Sequence, residues 1–191
     1  YLLNGSWSSR KISVYDINGS LDRHITIATT SDDARDLCLD AEGNIYIGER
    51  KAVTCLANDG TFRWRTGKAA SISSVGSEGN GNGEFMYAIG ITKGPDGNLY
   101  VADHNNHRVQ VLDKNGTFIK KFGENGTAPG KLAQPRDLIF LPDGRLIVGD
   151  NSYLNYFDSN GTFITRTNAS SAKKYVSLAP DETIWSYKRL R

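Results

Sequence analysis

One hairpin motif occurs three times along the chain, and the copies align without a gap. They span Asp36–Glu49, Gly90–Asp103 and Asp137–Asp150. Each copy reads as a short apolar strand, an acidic and glycine-containing turn, and a second apolar strand, which is the pattern of a tight β-hairpin. A repeat of this kind constrains the fold strongly, because every copy has to form the same supersecondary unit.

A second hairpin follows each copy, and another lies near the start of the chain. Its turn always carries Asn-Gly or Asp-Gly, at Asn18-Gly19, Asp59-Gly60, Asn115-Gly116 and Asn160-Gly161. Two hairpins per unit give four antiparallel strands in about 40 to 55 residues, which is the formula of a propeller blade. The sequence therefore predicts an all-β chain folded as a β-propeller.

The third unit carries a family resemblance. A glycine-rich entry at Ser74–Phe85 leads into the hairpin Gly90–Asp103, and the triplet Asn106-His107-Arg108 follows it. These residues resemble one nearly complete NHL repeat, whose name comes from an Asn-His-Leu-like triplet. The other units keep the strand pattern without the Asn-His pair. The resemblance is therefore specific for one unit and general for the remainder of the chain.

The number of blades follows from the same alignment. We expect three full blades between two partial ones, with approximate limits at 1–30, 31–83, 84–130, 131–170 and 171–191. Two arrangements are open. Because propellers that resemble this one usually have six blades, the chain is expected to form a sector of a six-bladed ring. Alternatively, the two partial units complete one blade of a closed four-bladed ring.

Charge and hydropathy exclude some functions. The chain has 23 basic and 21 acidic residues and a net charge of +2, so no bulk attraction to nucleic acid or to a membrane surface is expected. No apolar run approaches the roughly 20 residues that cross a bilayer. The two cysteines, Cys38 and Cys55, are predicted in non-adjacent strands of one blade, where they are free, buried thiols rather than a disulfide.

Candidate catalytic residues are not apparent. The histidines His24, His104 and His107 fall in different blades or on connections, where they are not expected to converge on one metal ion. Some propellers that this chain resembles are enzymes, including a zinc-dependent lyase whose metal ligands lie on the strands lining the central channel. The equivalent positions are Arg35, Ile89, Arg136 and Lys174. Because none of these side chains binds zinc, we predict no catalytic residue, metal or cofactor.

The same positions form a candidate binding site. Arg35, Arg136 and Lys174 are expected just before the first strand of their blades, and a propeller brings equivalent positions around one axis. They are predicted to form a basic rim for an anionic ligand or for RNA phosphates. In the alternative interpretation, Asp36 and Asp137 neutralise the neighbouring arginines through local ion pairs.

Six Asn-x-Ser/Thr sequons are candidate glycosylation sites: Asn4, Asn18, Asn115, Asn125, Asn160 and Asn168. Three of them lie at the recurrent Asn-Gly turn, where turn geometry alone explains the asparagine. The other three favour an extracellular or cell-surface glycoprotein.

The functional prediction is a non-catalytic binding scaffold. Its propeller face is expected to bind a protein, a glycan or other subunits of an assembly, without membrane insertion and without nucleic acid as the expected partner. Two alternatives stay open. The first is an enzyme, a lyase or hydrolase, with catalytic residues in blades outside this chain. The second is binding of RNA or another anionic ligand through the basic rim.

Overall fold

The computed structural model describes residues 2–3, 11–26, 34–68, 70–71, 74, 76–168 and 175–187. Within these ranges seventeen strands form five antiparallel sheets that follow one another along the chain. The first sheet contains β1 (Leu2–Leu3), β2 (Lys11–Tyr15) and β3 (Leu21–Thr26). The second contains β4 (Ala34–Leu39), β5 (Ile45–Glu49), β6 (Val53–Leu56) and β7 (Phe62–Thr66).

The third sheet carries the Asn106-His107-Arg108 triplet. It contains β8 (Ala88–Lys93), β9 (Leu99–Asp103), β10 (Arg108–Leu112) and β11 (Phe118–Phe122), with a 3-10 turn at His104–Asn106 after β9. The fourth contains β12 (Asp137–Phe140), β13 (Leu146–Gly149), β14 (Tyr153–Phe157) and β15 (Phe163–Asn168). The fifth contains β16 (Tyr175–Leu178) and β17 (Ile184–Tyr187).

Strand order within every sheet follows the sequence, so each sheet is a meander of hairpins. The prediction of three four-stranded units between two partial ones is confirmed. The first strands β4, β8, β12 and β16 contact one another in that order but belong to separate sheets. They therefore line the inner side of an arc from which the sheets radiate, as blades do in a propeller.

Apolar side chains fill the junction between each pair of neighbouring sheets. Between the second and third sheets, Tyr46 and Val53 pack with Phe85 and Ile91. Between the third and fourth, the ring of Tyr100 meets Phe140 edge-on, with ring centroids 4.8 Å apart. Each fully buried aromatic or aliphatic side chain contributes about 1.5–3 kcal/mol of hydrophobic free energy. Packing of side chains consequently holds the sheets together, because no backbone ladder joins two sheets in the described part of the chain.

The arc is open in the part of the chain that the structure describes. There, β16 and β17 form a sheet of their own and do not pair with β1, β2 or β3. The apolar clusters of these residues join only consecutive sheets, from the first to the fifth. Of the two arrangements open at the sequence level, this geometry is that of a sector rather than of a closed four-bladed ring. A total of six blades stays a prediction.

Both cysteines are free thiols, as predicted. Cys38 and Cys55 lie opposite Tyr46 from either side, in strands that are separated by the strand of that tyrosine. Cys55 is buried and Cys38 is half-buried. Burial raises the pKa of Cys38 to about 12 and that of Cys55 to about 11. Both side chains consequently stay protonated at neutral pH and act as small apolar groups in the core.

The turns between first and second strands depend on a left-handed residue. Gly43, Gly97 and Gly144 have φ angles of +81°, +79° and +85°. In the fifth sheet Glu182 takes this position with φ +64°, and its N–H donates to Ala179 O at 2.9 Å, as Gly144 N–H does to Leu141 O. A side chain in this region costs roughly 1–2 kcal/mol relative to glycine.

Glu182→Gly is expected to stabilise the fifth-sheet turn locally. Relief of about 1 kcal/mol predicts roughly fivefold slower hydrogen exchange at the amide of residue 182. The reciprocal change, Gly144→Glu, serves as the matched control and is expected to accelerate exchange at residue 144. Unchanged exchange in both variants would contradict the strain argument.

Candidate functional site

The two ends of the strands define two faces of the arc. Because first and third strands run in the same direction, the connections into the first strands and the loops between second and third strands lie on one face. We call this the entry face; it includes residues 50–51, 76–87, 104–107, 123–136 and 151–152. The turns between first and second strands and between third and fourth strands lie on the opposite face.

A cavity of about 420 Å³ opens among the residues of the entry face and the inner strands. It is lined by Arg35, Tyr87, Ile89, His104, Asn105, Arg136 and Tyr175. The structure thus brings Arg35 and Arg136, two members of the predicted rim, to one cavity, together with the equivalent Ile89. Lys174, the third predicted rim residue, lies outside the described residues.

Tyr87 is in contact with two guanidinium groups at this cavity. Arg35 Cζ lies 5.1 Å and Arg50 Cζ 5.2 Å from the centroid of its ring, and Arg35 Nη2 donates to Tyr87 Oη at 3.3 Å. Such cation–π contacts contribute about 0.5–2 kcal/mol each. Arg50 is also held by Glu78, with its Nη2 2.9 Å from Glu78 Oε1. The ring is therefore fixed at the cavity wall. Sequence reasoning missed Tyr87, which lies in a connection without a motif.

Arg136 immediately precedes β12, and its main chain is fixed by a hydrogen bond from its N–H to Gly149 O at 2.9 Å. Its Nε atom is buried and has no hydrogen-bond partner among the described residues. Nor does Arg136 form an ion pair with Asp137 in this part of the chain. A buried donor without an acceptor is costly, so this guanidinium differs from the buried polar groups that are satisfied within the fold.

The carboxylates of Asp36 and Asp137 join neighbouring sheets. Asp36 Oδ2 accepts the N–H of Ile91 and Asp137 Oδ2 that of Val176, both at 2.9 Å. Each carboxylate thereby holds the first strand of the following sheet at the inner side of the arc. Burial raises the pKa of both carboxyls, that of Asp137 to about 6, with a smaller contribution from the negative charge of Asp36.

A buried carboxylate recurs at the end of the second strands. Glu49, Asp103 and Asp150 are at most 2% exposed. Each accepts a hydrogen bond from a side chain of the third strand of its own sheet: Thr54 Oγ1 at 2.8 Å, Gln110 Nε2 at 3.0 Å and Asn155 Nδ2 at 3.1 Å. The acidic residues end all three aligned copies of the hairpin. This recurring acidic position was visible in the sequence, but sequence reasoning assigned it no role.

These carboxylates also hold the connections of the entry face. Asp103 Oδ1 accepts the N–H of Met86 at 2.9 Å, and Asp150 Oδ2 accepts that of Ala133 at 3.0 Å. Met86 precedes Tyr87 in the cavity wall, and Ala133 lies three residues before Arg136. Hence the buried acids fix the backbone that carries the cavity side chains.

The triplet Asn106-His107-Arg108 belongs to the same network. Arg108 Nε donates to Asp103 Oδ2 at 2.8 Å, and its Nη groups donate to the carbonyls of Asn80, Gly81 and Glu84. Asn106 Nδ2 donates to Gly79 O and to Asp103 Oδ2. His107 Nδ1 accepts the N–H of Gln134 at 3.2 Å. The triplet therefore fastens glycine-rich connections, which is a structural role.

The other histidines lie apart. His24 is in β3, where its Nδ1 is 3.2 Å from Ser13 Oγ, and His104 is at the cavity. Within the described residues no three His, Cys, Asp or Glu side chains come close enough to form a metal site. In the same residues no helix is long and apolar enough to span a membrane.

The sequon asparagines that the structure describes are all exposed. Asn18, Asn115 and Asn160 occupy the same turn on the opposite face, and each backbone N–H donates to the aspartate two residues earlier, at 2.8–2.9 Å. Asn125 lies in the connection before β12, and Asn168 ends β15. Asn4 falls outside the described residues. Glycosylation and extracellular location stay predictions.

Comparisons with known proteins agree with this geometry. A family model described as NHL repeat matches residues 85–112. Protein brain tumor of Drosophila melanogaster is 32% identical over 92 residues, covering 46% of this chain and 9% of that protein. The E3 ubiquitin-protein ligase TRIM71 of Rattus norvegicus is 30% identical over 180 residues, covering 71% of this chain and 21% of that protein.

Solved structures share the fold. A streptogramin B lyase matches with a TM-score of 0.68 and 18% identity, over 94% of this chain and 56% of the lyase. The WD40 β-propeller domain of Doa1 matches with a TM-score of 0.67 and 12% identity, over 96% of this chain and 56% of that one.

The radial four-stranded sheets are those of a β-propeller. Residues 85–112 match an NHL repeat, and the chain is similar over longer stretches to protein brain tumor and to TRIM71. The chain spans less than a quarter of the two sequence relatives and just over half of the two matched structures.

Asp103→Asn is expected to destabilise the protein by about 3 kcal/mol, because it leaves the buried Arg108 guanidinium without its counter-charge. Urea unfolding monitored by tryptophan fluorescence measures the loss. Asp113→Asn, at an exposed turn where Asp113 Oδ1 accepts only backbone N–H groups, is the matched control and should cost about 1 kcal/mol or less. Equal losses in the two variants would contradict a special role for the buried acid.

Asp137 predicts a pH dependence of stability. Its pKa is higher in the folded chain, about 6, than the ordinary value of 3.8, so folding favours the protonated form. This contribution is fully present below pH 3.8 and is lost as the pH rises to about 6. Asp137→Asn, which mimics the neutral form, should therefore stabilise the protein at pH 7.5, by at most ~3 kcal/mol, and have little effect near pH 4.

Thermal unfolding of both proteins across this pH range tests the prediction. Asp143→Asn is the control, because hydrogen bonds from Arg145 lower the pKa of the exposed Asp143 carboxyl. Its stabilising contribution is present above its ordinary pKa, so this variant should show no gain at pH 7.5. A gain for Asp137→Asn that is independent of pH would contradict the assignment.

Proposed function

We propose that the chain is a non-catalytic binding scaffold whose entry face contacts a protein partner. The observation that carries this proposal is the cavity of the entry face, which is lined by Arg35, Tyr87 and Arg136. The segments that carry Tyr87 and Arg136 are held by hydrogen bonds to the buried Asp103 and Asp150. Arginine and tyrosine are enriched among the residues that dominate binding energy in protein interfaces. A fixed ring and guanidinium group also lose little conformational entropy on binding.

The relatives support a protein partner. One of them is named as an E3 ubiquitin-protein ligase, an activity that acts on proteins, and this chain corresponds to 21% of it. The likeness to the streptogramin B lyase, at 18% identity, concerns the fold and carries no activity to this chain. The choice of the entry face rests on its side chains. Extracellular location is a separate proposal, supported by the exposed sequons alone.

Site-specific photo-crosslinking tests the proposed face. A photoreactive phenylalanine replaces the exposed Asn105, at the cavity, in one variant and the exposed Glu42, on the opposite face, in the other. In an extract of the cells that produce the protein, we expect a protease-sensitive adduct from position 105 only, and competition by excess unlabelled protein.

Three results would contradict the proposal. The first is the absence of a protein adduct from position 105, and the second is equal adducts from both positions. The third is an adduct from position 105 that nuclease removes and protease does not, which would favour the RNA alternative.

A further inference from the structure

The entry-face cavity is lined by two positively charged groups and by neutral groups that can donate hydrogen bonds. Two guanidinium groups, those of Arg35 and Arg136, line it together with the phenol of Tyr87 and the exposed amide of Asn105. Among the described residues no aspartate or glutamate lines the cavity. The nearest inner-strand carboxylates, on Asp36 and Asp137, instead accept backbone N–H groups of the following strands. The wall is thus complementary to a group that carries negative charge and accepts several hydrogen bonds.

Arg136 supplies the second observation. Its buried Nε donates to no described residue, and this side chain lines the cavity from a backbone position that is fixed by a hydrogen bond. A carboxylate can accept from Nε and a terminal nitrogen of one guanidinium at the same time, in the bidentate geometry that planar anions and arginine favour. Binding of a carboxylate would therefore satisfy a donor for which the described residues supply no acceptor.

The size and walls of the cavity favour a peptide over a nucleic acid. A volume of about 420 Å³ is at the lower end of the range for ligand pockets and accommodates one or two side chains. Single-stranded nucleic acid is bound along extended grooves in which bases stack on aromatic rings. At this cavity Tyr87 already contacts the guanidinium groups of Arg35 and Arg50, so a stacked base would have to displace one of them.

We propose that the cavity binds the carboxylate of an acidic side chain in an extended segment of the protein partner, with Arg136 as the principal contact and Arg35 as the second. This inference rests on the proposed function and specifies the partner chemistry. Tyr87 and Asn105 would then contact the peptide backbone beside the acidic residue. The assignment requires both the charge and the planar shape of the arginine side chain at position 136.

Nuclear magnetic resonance titration of the whole chain, labelled with nitrogen-15, tests the proposal. The probes are N-acetyl-triglutamate amide and the uncharged N-acetyl-triglutamine amide, and the readout is the Nε–H signals of the arginines. We expect saturable shifts of the Arg136 and Arg35 signals with the glutamate peptide, and at least about tenfold weaker binding of the glutamine peptide.

Variants define the contact. Arg136→Gln should weaken binding of the glutamate peptide about tenfold. Arg136→Lys should recover only part of the lost affinity, because lysine keeps the charge but lacks the planar pair of donors that binds a carboxylate bidentately. Arg145→Gln is the matched control: Arg145 pairs with Asp143 on the opposite face, and its loss should leave the affinity unchanged. Unshifted backbone amide signals outside the entry face show that each variant is folded.

Several outcomes would overturn the inference. Equal binding of the two peptides would contradict recognition of a carboxylate. Equal weakening of binding by Arg145→Gln would contradict binding at the entry-face cavity. Tighter binding of succinate than of the glutamate peptide would assign the cavity to a small organic acid. Tighter binding of an oligouridine RNA, lost in Arg136→Gln, would assign it to nucleic acid. A peptide that fails to bind while position 105 still crosslinks to a protein refutes the carboxylate and leaves the binding face standing.

Discussion

The buried carboxylate at the end of each second strand is the interaction on which the entry face depends. Glu49 and Asp103 are the last residues of their strands, Asp150 directly follows one, and all three side chains are buried. A charge in such a place is tolerated only when several donors surround it. Asp103 and Asp150 collect donors from their own sheet and from the connection that leads into it. Each of these two carboxylates thereby joins the third strand of its sheet to the connection that precedes the first strand.

Neighbouring sheets are joined at the inner strands by a second device that differs between units. In the second and fourth units an aspartate, Asp36 or Asp137, reaches the backbone of a following first strand. The third unit has Gly90 at this position, where a Cβ atom would lie 2.5 Å from Arg136 O. The inner strands approach too closely there for a side chain. In the third unit, close packing of the backbones thus takes the place of the hydrogen bond from an aspartate. Burial of Asp36 and Asp137 raises the pKa of both carboxyls, so this hydrogen bond is formed at a cost in desolvation.

The fold was readable from the sequence because its determinants are local and repeated. The turn glycines, such as Gly97 and Gly144, recur at the same position of each aligned hairpin. Each hairpin can therefore be predicted from its own residues. The site was readable only in part. Arg35 and Arg136 were placed together by repeat equivalence. Tyr87 was not found, because its position depends on a contact with Arg50 from the preceding unit and on a backbone conformation that no motif encodes.

That conformation connects the frame to the cavity. Tyr87 has φ +75°, and Gln134, the equivalent residue of the next unit, has φ +60°. Both follow a residue whose N–H is held by a buried aspartate, and the N–H of Tyr87 itself donates to Arg50 O at 2.6 Å. A non-glycine residue keeps a left-handed backbone only where its surroundings impose it. The buried acids impose it in this chain, so the same hydrogen bonds that order the propeller also turn these side chains into the entry face. Changes to the cavity side chains should therefore leave the frame intact, whereas a change to a buried acid affects both the frame and the cavity.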